Sequence, residues 1–338
     1  MRASSLALAA GVALPLFCSP VVAQREPVRI VFDTDMGNDI DDALALAILH
    51  ALASRGECEL IAVTLTKDNR YSAPFVDIVD TFYGRGEVPV GVCRSGVTPE
   101  DGSYTKAVVE AADADRPRYA RTQSDFPDAV TVLRRALVGV PDHSAAAVQV
   151  GFSTNLANLL ASQPDAISPL SGMDLVRSKV RLLSIMAGTF SGRPEDADFG
   201  EYNVVGDLPA THRLIEQWPT EIVISGFEVG NALLYPARSI ERDFAYVAHH
   251  PIPEAYAAYM KMPYDRPTWD LTAALYAVRP DAGYFDLSVP GRIAVNDQGH
   301  TSFTEDPAGH HRYLKIPPGG SARILEAMQL LASQPPGG

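Results

Sequence analysis

Cysteine and basic charge are both scarce in this chain. Its 338 residues include 3 cysteines, which rules out a disulfide-stapled framework. Only Cys58 and Cys93 lie beyond the amino-terminal segment. They permit one disulfide at most, and two buried thiols is an equal alternative. Lys and Arg total 28 against 41 Asp and Glu, a net charge of −13. No basic stripe forms, which excludes nucleic-acid binding as the main role. The 8 histidines include the pairs His249-His250 and His310-His311, whose spacing does not suit a zinc site. No apolar run after Ala23 is long enough to span a membrane.

The one long apolar run is at the start. Arg2 is followed by Leu6 to Phe17 and then by Val21-Val22-Ala23. That pattern predicts a secretory signal peptide over residues 1–23, cleaved after Ala23. A lipid anchor on Cys18 is disfavoured by the bulky Phe17 before it. The expectation is an exported protein, periplasmic or extracellular, with residues 24–338 forming a single domain.

Aspartate is locally in excess. Ile30, Val31 and Phe32 read as a buried strand, and Ala43 to Leu52 as an apolar helix. Between them stand Asp33, Asp35, Asp39, Asp41 and Asp42. Acids there lie at the carboxyl end of a strand, where open α/β sheets bind ligands. One could cap the helix and favour its positive end. So many acids within one short loop repel one another, and a hard divalent cation with oxygen ligands is the economical remedy.

Strand and helix patterns then alternate. Strands are predicted at Glu59–Thr66, Val88–Val92, Ala145–Val150, Val180–Met186 and Glu221–Ser225. Helices are predicted at Ala73–Gly84, Phe126–Leu137, Leu156–Ser162 and Ala210–Trp218. Residues 94–122 read as a long, mobile, lid-like excursion. Arg292–Val295 and Arg312–Ile316 read as a terminal strand pair, followed by a helix over Ala322–Leu331. The alternation predicts an α/β fold, a mostly parallel Rossmann-like sheet covered by helices.

Each strand end carries polar residues: Lys67-Asp68-Asn69, Ser153-Thr154-Asn155, Glu201-Tyr202-Asn203, and late in the chain Trp269-Asp270 at a helix start. Individually, Asn155 and Asp270 could be helix caps, and Glu201 and Asn203 ordinary loop residues. Together, carboxylates, amides and a cation in one crevice suit a polyhydroxylated ligand such as a sugar.

These motifs carry a resemblance. Asp33-Thr34-Asp35-Met36-Gly37, ending in Asp41-Asp42-Ala43, resembles the amino-terminal calcium signature of the inosine-uridine nucleoside hydrolases. Gly151 to Leu156, Met186 to Phe190 and Glu201-Tyr202-Asn203 resemble further segments of that family, in order, over roughly residues 28–280. The resemblance implies a nucleoside-hydrolase-like fold and cleavage of the N-glycosidic bond of ribonucleosides. It implies Ca²⁺ held by Asp35, Asp42, the backbone carbonyl of Thr154 and Asp270. Asp35 would also be the general base for the attacking water. Asp41, Asn69 and Asn203 would hold the ribose 2′ and 3′ hydroxyls and Glu201 the 5′ hydroxyl, with Asp33 steadying the metal ligands. The transition state would be oxocarbenium-like, stabilised by surrounding carboxylates. A homo-oligomer, dimer or tetramer, is a family expectation.

The chain departs from that pattern in three places. Asn38 to Ile40 lengthens the acidic loop, so Asp39 competes with Asp41 for the ribose. Asp68 competes with Asn69. Many relatives place a histidine where this chain has Trp269. An indole can stack on a base but cannot protonate it, which implies a purine preference, with Tyr104 or Tyr119 on the opposite face. Two rival classes remain. A haloacid-dehalogenase-like phosphatase would use Asp33 as nucleophile and Asp35 as acid with Mg²⁺. An exported calcium-dependent nucleoside or sugar binding protein would use the same crevice without chemistry.

Overall fold

A computed structural model describes residues 26–193 and 198–337. The signal-peptide segment lies outside the described residues. Nine strands build the main sheet: β1 Val28–Thr34, β2 Cys58–Lys67, β3 Val90–Val97, β4 Ala145–Gln149, β5 Val180–Met186, β6 Glu221–Ser225, β7 Gly291–Val295, β8 Thr301–Glu305 and β9 His311–Lys315. A two-residue strand, Asp286–Leu287, adds to β9. The order across the sheet is β8-β7-β9-β6-β5-β4-β1-β2-β3. Strands β1 to β6 and β9 run parallel; β7 is antiparallel to both its neighbours.

The chain leaves β1 in one direction, toward β2 and β3, and then returns to place β4 on the other side of β1. That reversal is a topological switch point, which opens a crevice at the carboxyl ends of β1 and β4. Both strands are buried on both faces, as parallel strands are. Ile30 and Phe32 of β1 enter one core and Val31 the other. Helices α1 Asp41–Ser54, α2 Ser72–Phe82 and α3 Ser103–Val109 pack on the first face. α4 Ala129–Val138, α5 Thr154–Ala161 and α6 Gly172–Lys179 pack on or around the second. Short α7 Tyr202–Gly206 leads into α8 Leu208–Gln217, also on the second face. α9 Phe227–Asn231, α10 Ala237–Arg242, α11 Pro251–Tyr259, α12 Trp269–Val278 and α13 Ser321–Ala332 return to the first. In α1 every residue from Asp41 to Leu52 is buried, as expected of a helix that is apolar all round.

Several expectations shift. The α4 helix starts at Ala129, not Phe126, because the Pro127 carbonyl accepts from Val92 N and Asp128 caps the helix through Thr131 N. The terminal strand pair is a three-strand arrangement. β7 and β9 meet only at Gly291 and His311, and the missed β8, an exposed strand, forms a hairpin with β7. Residues 94–122 are not a free excursion. They contain the end of β3, helix α3 with a fully buried Tyr104, and a small antiparallel pair, Ala112–Asp113 with Arg116–Pro117. Cys58 and Cys93 form no disulfide. Cys58 pairs with Val28 at the start of β2, whereas Cys93 follows Val92, the partner of Leu65. Seven residues of strand, roughly 23 Å, separate those levels. No helix among the described residues is long and apolar enough to cross a membrane.

Candidate active site

A cavity of about 340 Å³ opens at the carboxyl ends of β1, β4 and β5, small but within the range of ligand pockets. Its floor is acidic. Asp35 comes from the loop after β1, Asp41 and Asp42 from the first turn of α1, and Asp270 from the first turn of α12. Two helix amino termini therefore point at one place, which partly offsets the cost of burying anions. Oxygens of Asp41, Asp42 and Asp270 lie within 4.8 Å of one another. Asp41 also accepts from the backbone N–H of Asp270 at 3.1 Å, fixing one helix start against the other. Thr34 donates its hydroxyl to Asp42 Oδ1, while Asp42 Oδ2 is buried with no partner.

Burial dominates the electrostatics. It pushes Asp41, Asp42 and Asp270 well above the ordinary carboxylate range, and their mutual repulsion adds to the shift. Burial pushes Asp35 to about 6, against the hydrogen bond from Asn38. The nearby cations are committed elsewhere. Lys67 Nζ donates to Asn38 Oδ1 at 2.8 Å and to the Thr98 carbonyl at 2.6 Å. Arg266 pairs with Asp39 through both Nε and Nη2. A divalent cation with oxygen ligands fits this donor set: converging carboxylates, an unsatisfied buried oxygen and, among the described residues, no ion-pair partner for Asp41, Asp42 or Asp270.

Glu201 and Asn203 form another wall. Glu201 caps α7, its carboxylate accepting from the backbone N–H groups of Gly188, Asn203 and Val204. Burial raises it to about 7 against those bonds. Asn203 donates its amide hydrogens to the Val150 carbonyl at 2.9 Å and the Met186 carbonyl at 3.3 Å. Phe199, Phe227, Tyr259 and Trp269 supply an aromatic wall. Trp269 donates its indole N–H to the Phe227 carbonyl and stacks on the Phe227 ring, centroids 5.3 Å apart.

Of the residues singled out in the sequence, Asp35, Asp41, Asp42, Glu201, Asn203, Trp269 and Asp270 all line this cavity. Asn69 does not. Its amide donates to the Pro99 and Glu100 carbonyls and its oxygen accepts from Tyr71 N, so it braces a loop. Thr154 does not line it either, and its hydroxyl donates to Asp207; Val150, just past β4, does line it. Asp33 lies beneath the site, accepting from Thr64 and Asn155. Burial raises it to about 7. Tyr104 is buried under the acidic loop and Tyr119 is absent from the cavity wall, so neither faces a ligand there. Asn38, Asp39, Tyr202 and Arg266 line the cavity without having been singled out as ligand groups, Asp39 excepted as a rival of Asp41. The lengthened loop is the sequence sign of Asn38. Nothing local marks Arg266.

A model of the inosine-uridine preferring nucleoside hydrolases matches residues 30–316. Curated proteins give no significant sequence match. Among solved structures, an inosine-uridine preferring nucleoside hydrolase from Bacillus anthracis is similar at 18% identity and a TM-score of 0.66. The match covers 90% of this chain and 99% of that one. A purine-preferring ribonucleoside hydrolase from Gardnerella vaginalis is similar at 18% identity and 0.65, covering 90% and 99%. A plant nucleoside hydrolase is similar at 19% and 0.64, covering 91% and 100%.

Proposed function

The chain belongs to the inosine-uridine preferring nucleoside hydrolase family, and from that premise we propose that it is an exported, calcium-dependent enzyme with a preference for purine ribonucleosides. Nucleoside N-ribohydrolase activity itself follows from the family. The observation that carries the finer reading is the meeting of Asp35, Asp41, Asp42 and Asp270 with Glu201, Asn203 and an aromatic wall around one cavity.

Asp42 and Asp270 would hold the ion with Asp35, and the Val150 carbonyl replaces that of Thr154 as the backbone ligand. Oxygen-only coordination favours calcium over softer ions. A bound divalent cation supplies Lewis acidity, which lowers the pKa of a water and anchors ribose hydroxyls. Asp35 takes the proton of the attacking water. Its pKa, raised by burial, suits a general base near neutrality, and Asn38 holds its carboxylate in place. Asp41 and Asn203 hold the ribose diol, and Glu201 the 5′ hydroxyl. The carboxylates around the sugar stabilise positive charge developing at the anomeric carbon. Trp269 and its aromatic neighbours take the base.

A phosphatase reading needs Asp33 as an accessible nucleophile, and Asp33 is fully buried. A binding protein would leave nucleosides intact. Incubating the purified chain with inosine, with and without added calcium, tests the proposal. Calcium-dependent release of free ribose and hypoxanthine supports it; intact inosine, or activity unaffected by chelation, overturns it. Export rests on residues 1–23 and is tested by amino-terminal sequencing of the protein recovered outside the cytoplasm. Assembly as a homo-oligomer is a proposal from the family alone, tested by light scattering.

A further inference from the structure

Arg266 is the one cation on the cavity wall among the described residues. Its guanidinium lies over the Tyr259 ring at 5.1 Å and the Trp269 ring at 5.2 Å. Asp39 accepts from Nε and Nη2 along one edge of the group. That pairing fixes the rotation of the guanidinium and uses two of its five N–H donors. The donors left on Nη1 and Nη2 form the terminal fork, for which the described residues supply no protein acceptor. Arg266 thus lines the cavity between the acidic loop, through Asp39, and the aromatic rings of Tyr259 and Trp269.

From this we infer that Arg266 reads the base, and that the enzyme prefers 6-oxopurine nucleosides, inosine and guanosine, over adenosine. The inference rests on the nucleoside-hydrolase reading above. A 6-oxopurine presents two acceptors side by side, O6 and N7, at the spacing a guanidinium fork matches. Adenosine presents a 6-amino donor beside N7, and a donor facing a guanidinium N–H is repelled and left unpaired. The rings of Tyr259 and Trp269 pack against the guanidinium and, with Asp39, limit its reorientation. Asp39 is thereby a positioning residue: its carboxylate holds Arg266, and it is not available to the ribose.

The test compares kcat/KM for inosine, guanosine, adenosine and uridine in the parent and in Arg266→Lys and Arg266→Gln. The parent should favour inosine over adenosine by about tenfold or more, as one bidentate base contact allows. Arg266→Gln should lose about tenfold or more on inosine and little on adenosine, so the ratio collapses. Arg266→Lys keeps the charge beside Asp39 but not the fork and should not restore the ratio. A parent ratio near one, or equal losses on both purines, overturns the inference and leaves Arg266 as a latch for the acidic loop. A parent that hydrolyses none of the four overturns the hydrolase reading instead. Calorimetric binding of inosine against adenosine to the calcium-supplemented parent and Arg266→Gln then decides the base contact by the same ratio.

Discussion

Asn38 donates its side-chain amide to Asp35 Oδ2 at 2.7 Å. The bond has a fixed sense, because Lys67 Nζ donates to the other end of the same amide at 2.8 Å. A buried ammonium thus sets which way the amide faces, and the amide holds the carboxylate assigned as general base. Hydrogen bonds to charged groups contribute about 1.5–3 kcal/mol. Asn38→Leu should therefore lower kcat for inosine by about tenfold or more. Asn69→Ala should stay within about threefold of the parent, because Asn69 only braces the loop ahead of α3. Steady-state kinetics of the two variants check this. An inactive Asn69→Ala beside an unchanged Asn38→Leu would reverse the assignment.

The acidic floor predicts how metal removal acts on stability. Asp41, Asp42 and Asp270 are buried together and repel one another. Calcium that binds only the folded chain stabilises it by mass action, by about 2.7 kcal/mol at a hundred times its Kd. Chelation should lower the Tm of the parent. In Asp42→Asn it should change little, and that variant without metal should melt at or above the metal-free parent, since one repelling charge is gone. Calorimetric scans with calcium and with a chelator measure both. A chelator shift of equal size in parent and variant would remove Asp42 from the ion site.

The parts of the site readable in the sequence are those whose chemistry is concentrated locally. Asp35, Asp41 and Asp42 sit in one short loop between an apolar strand and an apolar helix. Asp270 marks a helix start. The alternation of strand and helix made the parallel sheet legible, because period and length survive without tertiary information. The structure places residues differently from these expectations where placement depends on contacts distant in sequence. Asn69 faces outward and Asn38 inward because Lys67 and Tyr104 pin the lengthened loop from below. Thr154 is a helix residue tied to Asp207, and Val150, just past the preceding strand, lines the cavity instead. Arg266 meets Asp39 across 227 positions of sequence, a distance over which no local pattern speaks. The expected lid failed for the same reason: Tyr104 looks like a loop aromatic until α11 and α2 close over it.

His250 predicts an acid-sensitive fold. It is buried among Phe82, Phe244 and Tyr246, with ring centroids 4.3, 5.0 and 5.6 Å away. Its Nδ1 accepts from Ile252 N and its Nε2 meets the Tyr246 hydroxyl. Burial lowers its pKa to about 3. The unfolded chain takes up a proton near the ordinary histidine value and the folded chain does not. This contribution is therefore fully present above about pH 6.5 and is lost as pH falls from there toward 3. Between pH 8 and pH 5 it amounts to about 2 kcal/mol. Urea unfolding at the two pH values should show a drop smaller by that amount in His250→Gln. Identical drops in parent and variant would remove His250 from the acid response.

Tyr104 predicts a coupling between a buried core residue and the reaction. Its hydroxyl accepts from Gly37 N at 2.6 Å and donates to the Asp39 carbonyl at 2.6 Å. It thus joins both ends of the segment that carries Asn38 and Asp39. Gly37 has a φ of +117°, and a Cβ there would meet Lys67 Cδ at 3.2 Å. The loop therefore takes a path that only glycine follows without strain, and one buried hydroxyl ties its two ends together. Tyr104→Phe keeps the ring and its edge contact with Phe75, centroids 5.4 Å apart. It removes only the hydroxyl and leaves a buried N–H and a buried C=O without that partner. Each such loss costs about 1–3 kcal/mol. Unfolding should become easier by about that much, and kcat for inosine should fall by about tenfold as Asn38 loses its hold on Asp35. Tyr104→Leu should unfold still more easily, because it leaves a cavity as well. Urea unfolding and initial rates on the same preparations test this together. A Tyr104→Phe enzyme as stable and as fast as the parent would show that Lys67 alone holds the loop. A variant less stable but equally fast would confine Tyr104 to the core.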